Sequence, residues 1–331
     1  MKKGLIKLLS LKHNVSLAPY TTLGIGGPAR FFREVRKEEE LLETITWARE
    51  NLIPFLVIGC GSNLLVSDRG FSGLVIRNAV EGIRRTNRKL LVKGGTLLPN
   101  LVGFADRAGL GGLERMAGIP GTVAGAIYGN AGAYGQTISD HLTGVDVFNG
   151  RGVECFSGSQ CRFSYRESIF KTRRDLVILE AEFKLERFEP RALQVASQEI
   201  RTLRETKYPP GLRCPGSFFK NLPVQDLSSA AVSKIPRKKI VRGKVPAGYL
   251  LEEVGAKGKS RGAVRVASYH GNLFFNDGKG TARDFLSLAR EYQRRVKEKF
   301  GVLLEPEVQL VGFGKQRRKS PFCGEVFENA G

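Results

Sequence analysis

Cysteine is scarce in this 331-residue chain, and no two cysteines form a C-x-x-C pair. The five cysteines are Cys60, Cys155, Cys161, Cys214 and Cys323. An odd number without metal-ligand spacing argues against a disulfide framework and against a zinc site. We therefore expect free thiols, no bound metal and a cytoplasmic, reducing location.

Acidic residues are also few: 32 Asp and Glu stand against 53 Lys and Arg, for a formal net charge of +21. Such an excess attracts polyanions, which include nucleic acid, anionic lipid and phosphorylated small molecules. The basic residues are spread along the chain, with local excesses at 234–244 and 315–319 that contain no aromatic residues. We expect no specific nucleic-acid binding, although a basic nucleic-acid-binding protein stays as an alternative class.

The chain lacks a hydrophobic run suited to membrane insertion. Its basic start is interrupted by Lys7 and Lys12, so a signal peptide is not indicated. The uncharged stretch 117–135 holds six glycines, Pro120 and Asn130, a poor composition for a spanning helix. We expect no transmembrane segment.

Glycine, by contrast, is abundant, with 40 residues. It is concentrated in 117–135, AGIPGTVAGAIYGNAGAYG, where small side chains would let backbone N–H groups approach a ligand closely. The residues alone leave open a phosphate or cofactor cradle and a set of turns with a tightly packed small-residue helix. The turn 59–63, GCGSN, also suits a phosphate, and a plain hairpin turn is its simpler interpretation.

The spacing Gly24-x-Gly26-x-x-Ala29 resembles half of a dinucleotide-binding fingerprint. That fingerprint must open a helix, whereas Pro28 and the β-favouring Phe31 follow here, so we expect no Rossmann helix. Hydrophobic periodicity predicts helices at 37–51, 97–108, 191–206 and 281–300, and strands at 55–58, 64–66, 74–76, 90–92, 145–148, 177–185 and 303–310. Strands and helices do not alternate regularly, so the predicted fold class is α+β in several domains.

Six segments, in order, together resemble the MurB family of UDP-N-acetylenolpyruvoylglucosamine reductases. They are 22–29 (TLGIGGPA), 58–63 (IGCGSN), 117–125 with 130–133 (AGIPGTVAG and NAGA), 165–168 (YRES), 216–221 (GSFFKN) and 305–308 (EPEV). The resemblance covers roughly 13–313. The link from Leu185 to Arg191 is short and leaves little room for an extra substrate-covering loop. The chain therefore resembles the shorter subfamily, which lacks that loop.

The resemblance implies a PCMH-type FAD-binding fold of two subdomains, 1–78 and 79–190, the second with the glycine-rich cradle. A substrate-binding domain, 191–313, with a basic surface insertion at 222–246, and a flexible basic tail, 314–331, would follow. The implied activity is the NADPH-dependent reduction, through bound FAD, of UDP-N-acetylglucosamine enolpyruvate to UDP-N-acetylmuramate in peptidoglycan precursor synthesis. We expect a monomer, and an FAD-linked oxidase of a small alcohol is the alternative on the same fold.

The resemblance also implies three catalytic residues. Hydride addition to the enolpyruvyl group leaves negative charge beside a carboxylate, which Arg166 would stabilise, and Ser217 would donate the proton. Glu307 would be the partner of Arg166, although Glu305 lies at i−2 and sequence alone does not separate the two. Without the motif, a surface arginine is the better interpretation of Arg166. The alternatives for Ser217 and Glu307 are a turn hydroxyl and a solvated strand-edge charge.

The same resemblance implies two sets of binding residues. For the substrate they are Tyr165, Lys207, Asn221 and His270, the last of which is as a lone histidine more often structural. Lys207 and Lys220 would also polarise Ser217. The residues implied for FAD binding are Ile58, Gly59, Gly61, Ser62, Asn63, Gly118, Ile119, Pro120, Gly121, Thr122 and Gly125.

Overall fold

The computed structural model describes residues 10–313. Its helices are α1 Glu38–Glu50, α2 Leu98–Arg107, α3 Val123–Tyr128, α4 Pro190–Lys207, α5 Ser229–Ser233, α6 Ala247–Glu253 and α7 Ala282–Phe300. Its strands are β1 Lys12–Ser16, β2 Pro28–Val35, β3 Phe55–Ile58, β4 Leu64–Val66, β5 Phe71–Asn78, β6 Ile83–Thr86, β7 Lys89–Lys93, β8 Leu110–Gly111, β9 Gly132–Ala133, β10 Gln136–Thr137, β11 Leu142–Phe148, β12 Val153–Ser157, β13 Val177–Lys184, β14 Glu186–Arg187, β15 Leu222–Pro223, β16 Lys244–Val245, β17 Ser260–Arg261, β18 Val264–Val266, β19 Phe274–Asn276 and β20 Gln309–Val311. The predicted tail at 314–331, and Cys323 with it, lie outside the described residues.

The first sheet has the strand order β1-β2-β5-β3, in which β2, β5 and β3 run parallel. Helix α1 packs on it through the buried side chains of Leu41, Ile45 and Ala48, which are spaced for one helix face. Pro28 begins β2, so a strand follows the glycines Gly24 and Gly26, as predicted. Strand β3 ends at Ile58 and therefore delivers the 59–63 turn to the carboxyl edge of parallel strands.

The 59–63 turn is not a hairpin. Strand β3 before it pairs with β5, whereas β4 after it pairs with β20, so the two flanking strands belong to different sheets. The hairpin interpretation of 59–63 is therefore wrong, and the turn connects two parts of the molecule.

The second sheet is antiparallel with the order β12-β11-β13-β7-β6. Helices α2 and α3 cover it, and its core includes Phe183 and Leu90. The outer face of β13 is less exposed to solvent than the alternation of its apolar and charged residues predicts. Glu180 on this face is buried and pairs with Arg84 at 3.0 Å and with Lys93 at 2.9 Å. Two cations compensate the carboxylate there.

The elements from β15 to β19, together with α5, α6 and α7, form a third layer, which is built around α7. Thr281 caps this helix by accepting a hydrogen bond from the Asp284 N–H, as predicted, and Phe285, Leu288 and Tyr292 face the core. The small sheet β17-β18-β19 packs on the same core.

The segment 222–246 contributes to that core as well. Ala231, Ile235 and Val245 are buried in it, at 3%, 4% and 0% exposure. The prediction of a surface insertion is therefore wrong for its apolar side chains, although Arg237, Lys238 and Lys239 are exposed. The segment is a structural part of the third layer that carries its charges outward.

Two other expectations fail locally. Leu203 is 53% exposed rather than on the buried face of α4. The predicted strand 303–310 is regular only at Gln309–Val311, where it pairs with β4 in parallel. The predicted domain boundaries stay predictions. None of the helices within residues 10–313 combines the length and the apolar character that a membrane span needs.

Candidate active site

The centre of the site is an ion pair between Arg166 and Glu307, whose Nε and Oε1 atoms are 2.7 Å apart. Both side chains are 21% exposed, so solvent screens their attraction only in part. The Nε–H is not aligned for a hydrogen bond, and the contact is an ion pair by distance. Arg166 also donates through Nη2 to the Gly132 carbonyl at 2.9 Å and through Nη1 to the Asn130 carbonyl at 3.5 Å. The guanidinium is thus held on three sides.

The backbone of Arg166 is strained, with φ at 59°, which non-glycine residues seldom adopt. Ser164 and Glu167 enclose it in a tight turn by exchanging two backbone hydrogen bonds of 3.1 Å. The half-buried ammonium of Lys171 donates to the Arg166 carbonyl. Burial lowers the pKa of Lys171, and Glu167 opposes that shift. Strain that the surroundings enforce is typical of functional sites.

Glu305 and Glu307 occupy different environments. The Glu307 N–H donates to the Phe218 carbonyl at 2.7 Å, which fixes Glu307 beside the 216–221 motif. Glu305 is 71% exposed and lies 3.3 Å from Lys220. The structure therefore brings Glu307, and not Glu305, to Arg166, as the motif match implies.

Lys220 is an unsuitable source of positive field for Ser217. Its ammonium lies 2.7 Å from Glu167 and 3.3 Å from Glu305. Burial disfavours its charge, but the two carboxylates prevail and raise the pKa of Lys220. Its charge is compensated locally, which leaves Lys207 as the predicted candidate for that role.

The hydroxyl of Ser217 lies 3.1 Å from the hydroxyl of Tyr208. The Lys207 ammonium is 5.0 Å from the centre of the Tyr208 ring, a cation–π contact. In the described part of the chain, Ser217 makes no side-chain contact with Arg166 or Glu307; the link runs through the backbone of the adjacent Phe218. Tyr208 was not predicted as a site residue, since its breaker-rich context indicates only a turn.

Tyr165 lies between two cations. The guanidinium carbon of Arg166 is 5.6 Å from its ring centre, and the Lys244 ammonium is 4.5 Å away. Burial raises the pKa of Tyr165, and Arg166 opposes that shift. Asn221 is engaged structurally, because its side-chain oxygen accepts from the Ala247 N–H at 3.1 Å. Lys244 belongs to the basic run at 234–244, which was the only sequence signal for it.

His270 is partly buried beside α6. Burial chiefly, and then Lys207, lowers its pKa to about 4, while Glu252 opposes the shift. Its Nδ1 accepts a hydrogen bond from the Asn272 N–H at 3.1 Å, so that nitrogen carries no proton. The structure therefore places a neutral imidazole near Lys207, and its predicted substrate contact stays a prediction.

The two loops predicted to bind FAD are in contact. Ser62 donates through Oγ to the Pro120 carbonyl at 3.0 Å. A β-carbon on Gly59 would lie only 2.3 Å from Oγ1 of Thr122, so glycine is needed for the loops to come this close. The Asn63 side chain donates to the Glu307 carbonyl at 3.1 Å, which joins the loops to the Arg166–Glu307 pair.

The polar groups of these loops fit a flavin dinucleotide. Several backbone N–H groups of the two loops have no hydrogen-bond acceptor among residues 10–313. They are those of Cys60, Gly61, Ser62, Asn63, Gly118, Gly121 and Thr122. Such groups suit a diphosphate, which offers acceptors only. Arg204 lies alongside, its Cδ 3.4 Å from the β-carbon position of Gly118, and its buried Nε has no hydrogen-bond partner in this part of the chain. Arg204 was also missed from sequence, where nothing sets it apart from other basic residues of α4.

Comparisons with known proteins agree with this site. The C-terminal domain of UDP-N-acetylenolpyruvoylglucosamine reductase matches residues 208–311, and an FAD binding domain matches residues 29–155. The UDP-N-acetylenolpyruvoylglucosamine reductase of Solibacter usitatus is 43% identical over 312 residues, covering 94% of this chain and 100% of that protein. The enzyme of the same name from Rubrobacter xylanophilus is 37% identical over 303 residues, with 91% and 95% coverage.

A solved structure gives the same result. The crystal structure of the MurB reductase from Thermus caldophilus superimposes with a TM-score of 0.72 at 34% identity, and covers 91% of this chain and 99% of its own. The predicted α+β fold of the PCMH type is thereby confirmed, as is FAD as the cofactor. The chain belongs to the UDP-N-acetylenolpyruvoylglucosamine reductase, or MurB, family.

Proposed function

We propose that this protein reduces UDP-N-acetylglucosamine enolpyruvate to UDP-N-acetylmuramate with NADPH, in peptidoglycan precursor synthesis, as a cytoplasmic monomer. Bound FAD supplies the hydride chemistry that connects the two substrates. The proposal is supported by family membership together with one observation, the Arg166–Glu307 pair joined to the FAD loops through Asn63.

Arg166 binds the substrate carboxylate and stabilises the negative charge that develops beside it. A guanidinium presents a planar set of donors that matches a carboxylate, and its charge is already oriented before the reaction begins. Contacts to Glu307 and to the Gly132 carbonyl hold it in place. Glu307 balances the charge of Arg166 while the substrate is absent and fixes the orientation of the guanidinium.

Ser217 holds the proton that is transferred to the substrate carbon beside the carboxylate, where negative charge develops after hydride addition. A serine hydroxyl is a weak acid, so its neighbours must favour proton release. Its contact with Tyr208, whose ring faces the Lys207 ammonium, offers a route by which positive charge acts on the hydroxyl. Tyr165, Lys207, Asn221 and His270 are the proposed substrate contacts around it.

A visible spectrum of the purified protein tests the proposal. The protein is expected to be yellow, to lose flavin absorbance with NADPH, and to regain it when the enolpyruvyl UDP-sugar is added without oxygen. A colourless protein that does not take up FAD, or flavin that responds to small alcohols but not to NADPH, would refute it.

Glu307→Gln and Glu305→Gln form a matched pair for the same assay. The first removes the charge that contacts Arg166, and we expect the recovery of absorbance to slow by about 100-fold, the usual scale for a transition-state charge interaction. The second removes a charge that is 71% exposed, and the rate is expected to change by less than about threefold. Equal effects would contradict the assignment of Glu307.

A further inference from the structure

A tight turn projects Arg242 from the third layer. Val241 and Lys244 exchange two backbone hydrogen bonds, of 2.8 and 3.0 Å, around Arg242 and Gly243. Arg242 has a φ of 50° and Gly243 one of 71°, the left-handed pair that a two-residue hairpin turn requires. The turn therefore holds the Arg242 backbone in one defined direction.

The guanidinium of Arg242 reaches the β9–β10 hairpin. A β-carbon on Gly135, at the tip of that hairpin, would lie 2.8 Å from Nη1 of Arg242 and 3.7 Å from Nη1 of Arg115. Arg115 is anchored there, since its Nη1 donates to the Tyr134 carbonyl at 2.6 Å. Two guanidinium groups from distant parts of the chain thus flank one glycine.

In the part of the chain that the structure describes, no carboxylate compensates these two groups. Within residues 10–313, neither Arg115 nor Arg242 forms an ion pair, whereas Lys220 and Lys93 each contact two carboxylates. Like charges that flank one point repel each other unless an anion lies between them. Both side chains are exposed, so an anionic ligand can reach them from solvent without competition from a described carboxylate.

The guanidinium pair adjoins the candidate active site. The β9–β10 hairpin that presents Gly135 also presents the Gly132 carbonyl, which accepts from Arg166. On the opposite side, Lys244 follows Arg242 on the same turn and lies 4.5 Å over the Tyr165 ring. A ligand whose reacting group faces Arg166 can therefore extend a charged group towards Gly135.

We propose that Arg115 and Arg242 form a binding site for phosphate groups of the nucleotide substrates, at the rim of the Arg166 site. The inference rests on the proposed function, in which both the UDP-sugar and NADPH carry diphosphates. Guanidinium groups bind phosphate oxygens in a bidentate manner, and Arg242 extends from the third layer to the β9–β10 hairpin, so the ligand would connect the two.

Inorganic pyrophosphate is the probe for a direct binding test on the full-length protein with FAD bound, so that the FAD loops are occupied. Arg242→Met removes the charge and keeps most of the side-chain length, Arg242→Lys keeps the charge without the fork, and Arg237→Met removes one exposed charge elsewhere in 222–246. Pyrophosphate is expected to stabilise the wild type and Arg237→Met against thermal unfolding equally. Its affinity for Arg242→Met should fall about tenfold, and for Arg242→Lys by less. Equal affinity in all four proteins, or an equal loss in both methionine variants, overturns the site.

Kinetics then identify the source of the phosphate. If Arg242→Met raises the KM for the UDP-sugar alone by about tenfold, the site is assigned to the diphosphate of the UDP-sugar. A weaker response to NADPH, with NADH unaffected, assigns it to the 2′-phosphate, and a loss with both dinucleotides and the sugar assigns it to a shared diphosphate position. Unchanged kinetics in Arg242→Met and Arg115→Met refute the inference. Failure of the proposed function is distinct, because wild-type flavin itself would then not respond to NADPH.

Discussion

Gly59→Ala tests whether close contact between the two FAD loops is needed for flavin binding. The added methyl carbon would stand 2.3 Å from Oγ1 and 2.7 Å from Cγ2 of Thr122, whereas ordinary contacts begin near 3.4 Å. One loop must move by about 1 Å, and such overpacking costs about 1–3 kcal/mol. Thr122 cannot turn away freely, because its Oγ1 caps α3 by accepting from the Gly125 N–H at 3.3 Å.

The predicted FAD site uses both loops at once, so displacement of one loop is expected to weaken FAD binding. We therefore expect FAD affinity to fall by about 10- to 100-fold, equivalent to about 1.4–2.8 kcal/mol. The measurements are the flavin content of the purified protein and a titration of the stripped protein with FAD, followed by quenching of flavin fluorescence.

Two variants make that result specific. Gly152→Ala adds the same methyl group where no atom of the described residues lies within 4 Å, and should bind FAD as the wild type does. In Gly59→Ala with Thr122→Ala the two closest overlaps disappear, and affinity should recover in part despite the lost cap. Gly59→Ala that binds FAD as tightly as Gly152→Ala would refute the account of the loops.

Three further predictions concern single side chains. Ser217→Ala should leave flavin bleaching by NADPH within about twofold and slow the recovery with enolpyruvyl UDP-sugar by 100-fold or more, measured by stopped flow under anaerobic conditions; unchanged recovery excludes Ser217 as the proton donor. Tyr208→Phe removes only the hydroxyl that contacts Ser217, so recovery should slow less than in Ser217→Ala, and an equal or larger loss would move the proton-donor role to Tyr208. The pKa of His270 is about 4 when folded and near 6.5 otherwise, so the unfolded chain binds the proton first as pH falls. Its stabilising contribution is therefore complete above pH 6.5 and is lost as pH falls through about 4; urea unfolding should show a steeper loss over that interval for the wild type than for His270→Gln.

Hydrophobic periodicity correctly predicted the position and the buried face of an element where that element is long and packs on one side. Helix α7 has its predicted cap at Thr281 and its predicted face, from Phe285 to Phe300, in the core. It failed for Leu203, near the end of α4, because the packed face there runs through Ile200 and Arg204, which are half-buried, and Leu203 lies beside that face.

The site depended on motif resemblance rather than periodicity. A strand rule would give Glu305 and Glu307 the same face, yet their exposed fractions are 71% and 21%. Regular strand begins only at Gln309, and Pro306 forms an isolated bridge to Phe219 just before it. Irregular backbone removes the alternation on which the rule depends, so neither the pairing of Glu307 with Arg166 nor the exposure of Glu305 follows from spacing.

Net charge was the strongest compositional signal and the least specific one. It counts Lys220 and Lys93 equally with Arg115 and Arg242, although carboxylates compensate the first two and, among residues 10–313, leave the last two unpaired. Local pairing is set by contacts between distant parts of the chain, such as that of Arg242 with the tip at Gly135. An anion is attracted most where cations converge without a compensating carboxylate, and a charge count cannot locate that point because it contains no distances.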